Sequence, residues 1–225
     1  PLRIQASQTY SLGREIQYNT ISKWCKRWLK QKYEIDARYA PDGINTEHFY
    51  SVERDFSGKI RILIEGDCAV DYKRIDESFE IANQLDRDKY EIWYMSYNEE
   101  PKDWYNIDKF LHRVPYAEVP DVYRQCHILL KSCILESFSY PPIEMMSTGG
   151  YVVVVKNDGN SEYLRDGENC MIYNSGNVGE ALSQIYRIVD DSVLRKVLLK
   201  NAKTTAKKYE WDNIKQDILS MYDIK

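Results

Sequence analysis

From Lys59 onward, short apolar runs alternate with stretches whose apolar residues recur every three to four positions, and that alternation leaves few folds open. Residues 60–64, 90–95, 128–130 and 151–155 are apolar runs, and Phe110-Leu111 sits in a weaker one. Between the first two, Ile75, Phe79, Ala82 and Leu85 mark a helix, and residues 119–124 form another short one. Beyond Val155 come a turn at Asp158-Gly159, a small helix and a short strand over 170–173. Helices then follow over 178–189, 192–209 and 211–222. Strands that are continuously apolar are buried on both faces, and a helix after each strand covers those faces. The pattern therefore predicts an α/β fold with a doubly wound parallel sheet.

The 225 residues can bury one large core or two modest ones. A net charge of −4 supplies no global footprint for nucleic acid, so no nucleic-acid partner is expected. Five cysteines (Cys25, Cys68, Cys126, Cys133 and Cys170) include no Cys-x-x-Cys pair, which argues against a disulfide framework or a zinc site and for the cytoplasm. His48, His112 and His127 are scattered without ligand spacing, so no metal is expected. No 18-residue apolar run and no signal peptide appear. The chain opens at Pro1 without methionine, as expected of a piece of something longer.

Upstream of Lys59 the character differs. Ile21, Trp24, Trp28 and Leu29 line one face of a helix over residues 20–33, with Ser22 placed to cap its start. The opposite face carries Lys23, Lys26, Arg27, Lys30 and Lys32. Such a helix either lies peripherally on the anionic inner face of a membrane or packs on its own domain with a solvated basic face. Pro41-Asp42-Gly43-Ile44-Asn45 is a turn cluster, and the polar stretch to Gly58 reads as a linker. This division sets residues 1–58 apart from 59–225.

The chemistry gathers after the run 128–130, where Glu136-Ser137-Phe138-Ser139-Tyr140-Pro141-Pro142-Ile143-Glu144 precedes Gly149-Gly150 and the next strand. Glu136 falls in a loop beyond a strand end, and Glu144 in the early turns of a helix opening near Pro141. Proline suits that opening because its missing N–H would have no intrahelical partner. The remaining free N–H groups and the helix dipole favour a phosphate, with Ser137 and Ser139 as added hydroxyl donors. A carboxylate beside that phosphate is suited to accept hydrogen bonds from ribose hydroxyls. Two glutamates at this spacing mean little alone among 35 acidic residues; their setting between buried strands carries the reading.

That setting resembles the C-terminal half of the retaining GT-B glycosyltransferases of family 4 (glycosyl transferases group 1). Glu136 and Glu144 match the family's E-x7-E motif. Gly149, Val152 and Val153 fit the following strand, with Gly150-Tyr151 where Gly-x-Pro is usual. Gly159, Glu162, Asp166, Gly167 and Asn169 match the next turn, with Cys170 in place of its last glycine. Tyr209-Glu210-Trp211 is similar to the opening of the family's final helix, and Pro41-Asp42-Gly43-Ile44-Asn45 to its interdomain linker. The likeness covers about residues 20–222.

The resemblance implies a Rossmann-like, nucleotide-sugar-binding domain over 59–225, preceded by the tail of an acceptor domain and a linker over 1–58. It implies retaining transfer of a hexosyl-type sugar from a nucleoside-diphosphate sugar to a glycan or lipid-linked acceptor, in polysaccharide biosynthesis, without metal or cofactor. Glu144 would hold the ribose and Glu136 the donor sugar, with Ser137, Phe138 and Ser139 lining the donor site. Gly66 and Lys73 match the family's diphosphate-binding Gly and Lys, while Asp67 stands where the family has arginine. Tyr116, in Arg113-Val114-Pro115-Tyr116, lies where the family's base-contacting loop follows a strand. Glu162 and Asp166 are expected to be structural. Too little precedes Lys59 for a full acceptor domain, so the chain is expected to bind donor without transferring by itself. The alternatives are a nucleotide-sugar epimerase on the same fold and a non-catalytic nucleotide- or glycan-binding module.

Overall fold

A computed structural model of the chain describes residues 8–12 and 16–222. Its centre is a six-stranded parallel sheet made of β3 (Ile60–Glu65), β4 (Tyr90–Ser96), β5 (Lys109–His112), β6 (Ile128–Lys131), β7 (Tyr151–Val155) and β8 (Met171–Tyr173), in the order β5-β4-β3-β6-β7-β8. The helices are α1 (Lys23–Tyr33), α2 (Ile75–Ala82), α3 (Val119–Gln125), α4 (Tyr140–Ser147), α5 (Val178–Asp190), α6 (Ser192–Lys208) and α7 (Trp211–Met221).

Two-residue alternation divides each strand between two cores. Ile60, Ile62 and Ile64 enter one with Phe79 of α2 and Ile185 of α5, while Leu63 enters the other with Ile143 of α4 and Ala202 of α6. Both sides are apolar because helices cover both faces, which is why the strands read as continuous runs. Strand order reverses between β3 and β6. The carboxyl ends of these two strands therefore flank the crevice where open α/β sheets take their ligands.

Three elements depart from the sequence expectations. The first helix starts at Lys23 rather than residue 20, because Thr20 belongs to β1 (Asn19–Thr20), which pairs in parallel with β2 (Arg38–Tyr39). Ser22 does cap it, accepting from the Cys25 N–H at 3.3 Å. The small helix expected after Gly159 is a series of turns, stitched by reciprocal bonds between Asn157 and Asn160. The stretch read as linker lies on the sheet domain: Phe49 is wholly buried, the Val52 N–H donates to the Thr148 carbonyl, and Arg54 donates to the Tyr123 and Cys126 carbonyls. The last helix, α7, leaves the sheet and packs on residues 38–44, where Arg38 donates to the Met221 carbonyl at 3.0 Å. A Cβ on Gly43 would lie 2.2 Å from the Trp211 ring, so α7 needs glycine there.

Candidate active site

β3 ends on Glu65 and is followed by Gly66 at φ 130°, a conformation glycine adopts without strain. The chain then turns so that Lys73 reaches back over the strand end. β6 ends on Lys131, one step beyond the paired residues Ile64 and Leu130, which sets Lys131 beside Glu65. The loop after β6 brings Glu136 to both lysines. The Lys73 ammonium lies 2.8 Å and the Lys131 ammonium 3.5 Å from Glu136 Oε1, while Lys131 reaches Glu65 Oε2 at 2.8 Å. Burial pushes the Glu136 carboxyl up, but Lys131 and Lys73 outweigh it and hold the group below the ordinary value. Burial likewise disfavours charge on Lys131, and its two carboxylates reverse the effect and raise it.

The Glu136 loop is held from two sides. A Cβ on Gly159 would stand 2.4 Å from the Glu136 carbonyl oxygen, so only glycine lets the loop pack this closely. From the N-terminal segment, Trp24 Nε1 donates to the Glu136 and Ser137 carbonyls at 3.1 and 3.0 Å. Ser137 is exposed. Phe138 differs from a ligand-facing aromatic: its ring is buried among Tyr140, Tyr163 and Tyr209, so only its backbone is offered to a ligand. Ser139, just ahead of α4, is buried, and its hydroxyl has no hydrogen-bond partner among the described residues. Such an orphan calls for an explanation.

Pro141 and Pro142 open α4, and Glu144 lies one turn further on. Burial raises the Glu144 carboxyl to about 7; a hydrogen bond from Tyr123 opposes the rise and nearby Glu65 adds to it. Tyr116 is exposed, packs against His48 and Phe49, and feels the Glu144 charge. Asp67 does not imitate the arginine that the family resemblance implies at its place. It accepts from Ser96 Oγ, from the Tyr97 and Asn98 N–H groups and from Asn98 Nδ2 at 2.6 to 3.0 Å. Burial opposes its charge, but these donors bring its carboxyl down to about 2. It orders the loop after β4. Glu65, Gly66, Asp67, Lys73, Met95, Tyr97 and Val119 line a cleft of about 280 Å³ at these strand ends.

The structure thus gathers Lys73 and Glu136 in contact, with Gly66 and Glu144 at the same end of the sheet. Glu162 is structural: it accepts from the Lys23 N–H at the start of α1 and from the Tyr39 hydroxyl. Asp166 accepts from the Ile172 N–H at 2.8 Å and so fixes β8. Sequence reasoning passed over Lys131, Glu65, Tyr123 and Trp24. Lys131 and Glu65 shared a signal, a charged residue closing an apolar strand; nothing local pointed Tyr123 or Trp24 to the site, since their partners are remote in sequence.

A parallel sheet covered by helices on both faces, with charged residues at its switch point, is a Rossmann-like domain. Residues 106–205 match the family model described as glycosyl transferases group 1. Over those residues the chain is similar to that family. It is 23% identical, over 214 residues, to an uncharacterized glycosyltransferase of Methanocaldococcus jannaschii, covering 90% of this chain and 58% of that one. Anabaena HepE, solved with UDP-glucose, superposes with a TM-score of 0.78 at 14% identity, over 92% of this chain and 63% of that one. The C-terminal domain of a glycosyl transferase group 1 family protein from Francisella tularensis superposes with a TM-score of 0.63 at 21% identity, over 75% of this chain and 99% of that domain. The chain therefore spans less than two thirds of the first two proteins.

Proposed function

We propose that the chain is the donor-binding part of a retaining glycosyltransferase that moves a hexosyl-type sugar from a nucleoside-diphosphate sugar to a glycan or lipid-linked acceptor in polysaccharide biosynthesis. The observation that carries this reading is the ion pair of Lys73 with Glu136 at the switch point, one loop away from the buried Glu144. On this reading residues 1–58 are the tail of an acceptor domain and a linker that lies against the donor domain, and residues 59–225 hold the donor.

Each group has a distinct task. Ionised Glu144 accepts from the ribose hydroxyls, and Tyr116 stacks on the base. Gly66 lets the diphosphate approach the chain, and Lys73 with the first turn of α4 stabilises charge on the departing diphosphate. Ser137 and Ser139 add hydroxyl donors, which gives the orphan Ser139 hydroxyl a partner. Glu136 binds hydroxyls of the donor sugar. Charge on the leaving group is met by these cationic and dipolar groups, with no cofactor or metal in the scheme. Most of the acceptor side lies outside the domain, so the chain by itself binds donor and does not transfer.

The relatives support this reading, HepE having been solved with UDP-glucose. Five free thiols among the described residues fit a reducing cytoplasm. No helix among the described residues is long and apolar enough to cross a membrane, and the basic face of α1 offers the means for a peripheral contact at the inner leaflet. Asp67, fixed where the family carries arginine, favours one other reading, a nucleotide-binding module without transfer.

Titration calorimetry with UDP, GDP, dTDP and ADP tests the donor site. One of these nucleotides is expected to bind, and Glu144→Ala to weaken that binding at least about tenfold, as for the loss of a charged hydrogen-bond acceptor. Binding of none, or binding indifferent to Glu144, refutes the reading.

A further inference from the structure

Lys131 closes an apolar strand and is 2% exposed. A buried ammonium is tolerated where carboxylates face it, and here Glu65 from β3 and Glu136 from the loop after β6 do so. Lys131 and Lys73 share one oxygen, Glu136 Oε1. The two cations differ in freedom. The Lys73 side chain is 22% exposed and lines the cleft, whereas Lys131 is enclosed at the strand end.

A diphosphate in the cleft competes with Glu136 for Lys73. Were Lys73 its sole cation, Glu136, only 16% exposed, would then be left without a counter-charge. A carboxyl group in that position takes up a proton and weakens as an acceptor for sugar hydroxyls. Lys131 cannot be drawn away in the same manner.

We propose that Lys131 is a positioning residue that keeps Glu136 ionised and aimed at the donor sugar while Lys73 is engaged by the donor diphosphate. The inference rests on the donor-site reading above. No proton moves and no bond breaks; Lys73 changes partner and Lys131 stays. The groups facing this pair are Glu65 from β3, Lys73 from the turn after it and Cys133 from the loop after β6, with Glu144 of α4 within electrostatic reach of Lys131. Glu65 holds the far side of the ammonium and prevents it from swinging.

The test compares binding of UDP with UDP-glucose by calorimetry between pH 6 and pH 9, with GDP and GDP-mannose used instead if the protein selects guanine. Wild type is expected to bind the nucleotide sugar more tightly than the bare nucleotide, by a ratio nearly constant with pH. Lys131→Met is expected to keep bare-nucleotide binding within about threefold. Its ratio should fall at pH 6 to 7, by about tenfold for each pH unit by which the assay lies below the pKa that Glu136 acquires, and recover toward pH 9. Lys131→Arg, which keeps the charge, is expected to restore the ratio. If Lys131→Met does not fold, Lys131→Met combined with Glu65→Gln removes one charge of each sign and serves in its place. An unchanged ratio, or a loss that no rise in pH recovers, overturns the role of Lys131 while leaving the nucleotide site standing. Absence of nucleotide binding in the wild type removes the donor-site reading and this inference together.

Discussion

At the scale of single residues, Glu144 makes the sharpest statement. Its carboxyl is raised to about 7 in the fold, while an unfolded chain ionises it near pH 4.5. Between those values the folded state holds the proton and the unfolded state does not, so stability falls as pH rises through this window. Glu144→Gln is therefore expected to be more stable than wild type at pH 8, by on the order of 2–3 kcal/mol, and about equal at pH 4.5. Urea unfolding at both values measures this. Nucleotide binding should show the opposite preference: if ionised Glu144 accepts from ribose, affinity weakens below pH 7, and calorimetry at pH 6 and 8 reads the change. Lys73→Met is expected to weaken nucleoside diphosphate binding by about tenfold to a hundredfold, the worth of a charge-assisted contact, and to leave the fold intact because Lys131 still faces Glu136.

Elements explain why those residues meet. The loop from Cys133 to Ser139 carries the first glutamate, and its course depends on contacts from outside itself. Gly159→Ala places a methyl group against the Glu136 carbonyl and should destabilise the fold by about 1–3 kcal/mol, as overpacking does. Denaturant melts provide the measurement, with nucleotide-sugar affinity falling alongside if the loop shifts. The fold's elements were legible because each strand and helix writes its own period: Ile62, Ile64 and Leu63 alternate, and Ile75, Phe79 and Ala82 keep a helical stripe. Turns stand after Gly159 where the sequence predicts a helix, because the reciprocal Asn157–Asn160 bonds satisfy the backbone locally and compete with helical pairing. The sequence places Thr20 in the first helix because nothing local signals that its strand partner, Tyr39, lies beyond that helix.

Over the whole molecule, the chain closes on itself through α7. This helix passes from α6 to residues 38–44, where the Ile44 N–H donates to the Tyr209 carbonyl and the Trp211 N–H to the Ile44 carbonyl. Ending the chain at Glu210 is expected to speed hydrogen exchange in residues 38–46 while leaving β3, β6 and β7 protected, since the two regions rest on different contacts. Uniform loss of protection would show instead that the molecule unfolds as one unit.

The sequence by itself determined the class of fold, the switch from strand to helix around each ligand-facing loop, and the setting of Glu136 and Glu144 beyond a strand end. Those follow from periods and spacings that act within about fifteen residues, whereas Lys73 was reached only through the family resemblance. Only the tertiary structure decided which charges neutralise one another. Lys131 and Glu65 are 66 positions apart, and their meeting depends on the parallel pairing of β3 with β6. It decided as well that Phe138 faces the core, that Asp67 is fully occupied by the loop after β4, and that Trp24 steadies the Glu136 loop from the other end of the chain. Electrostatic and hydrogen-bond partners are chosen by distance in space, and a sequence records only distance along the chain.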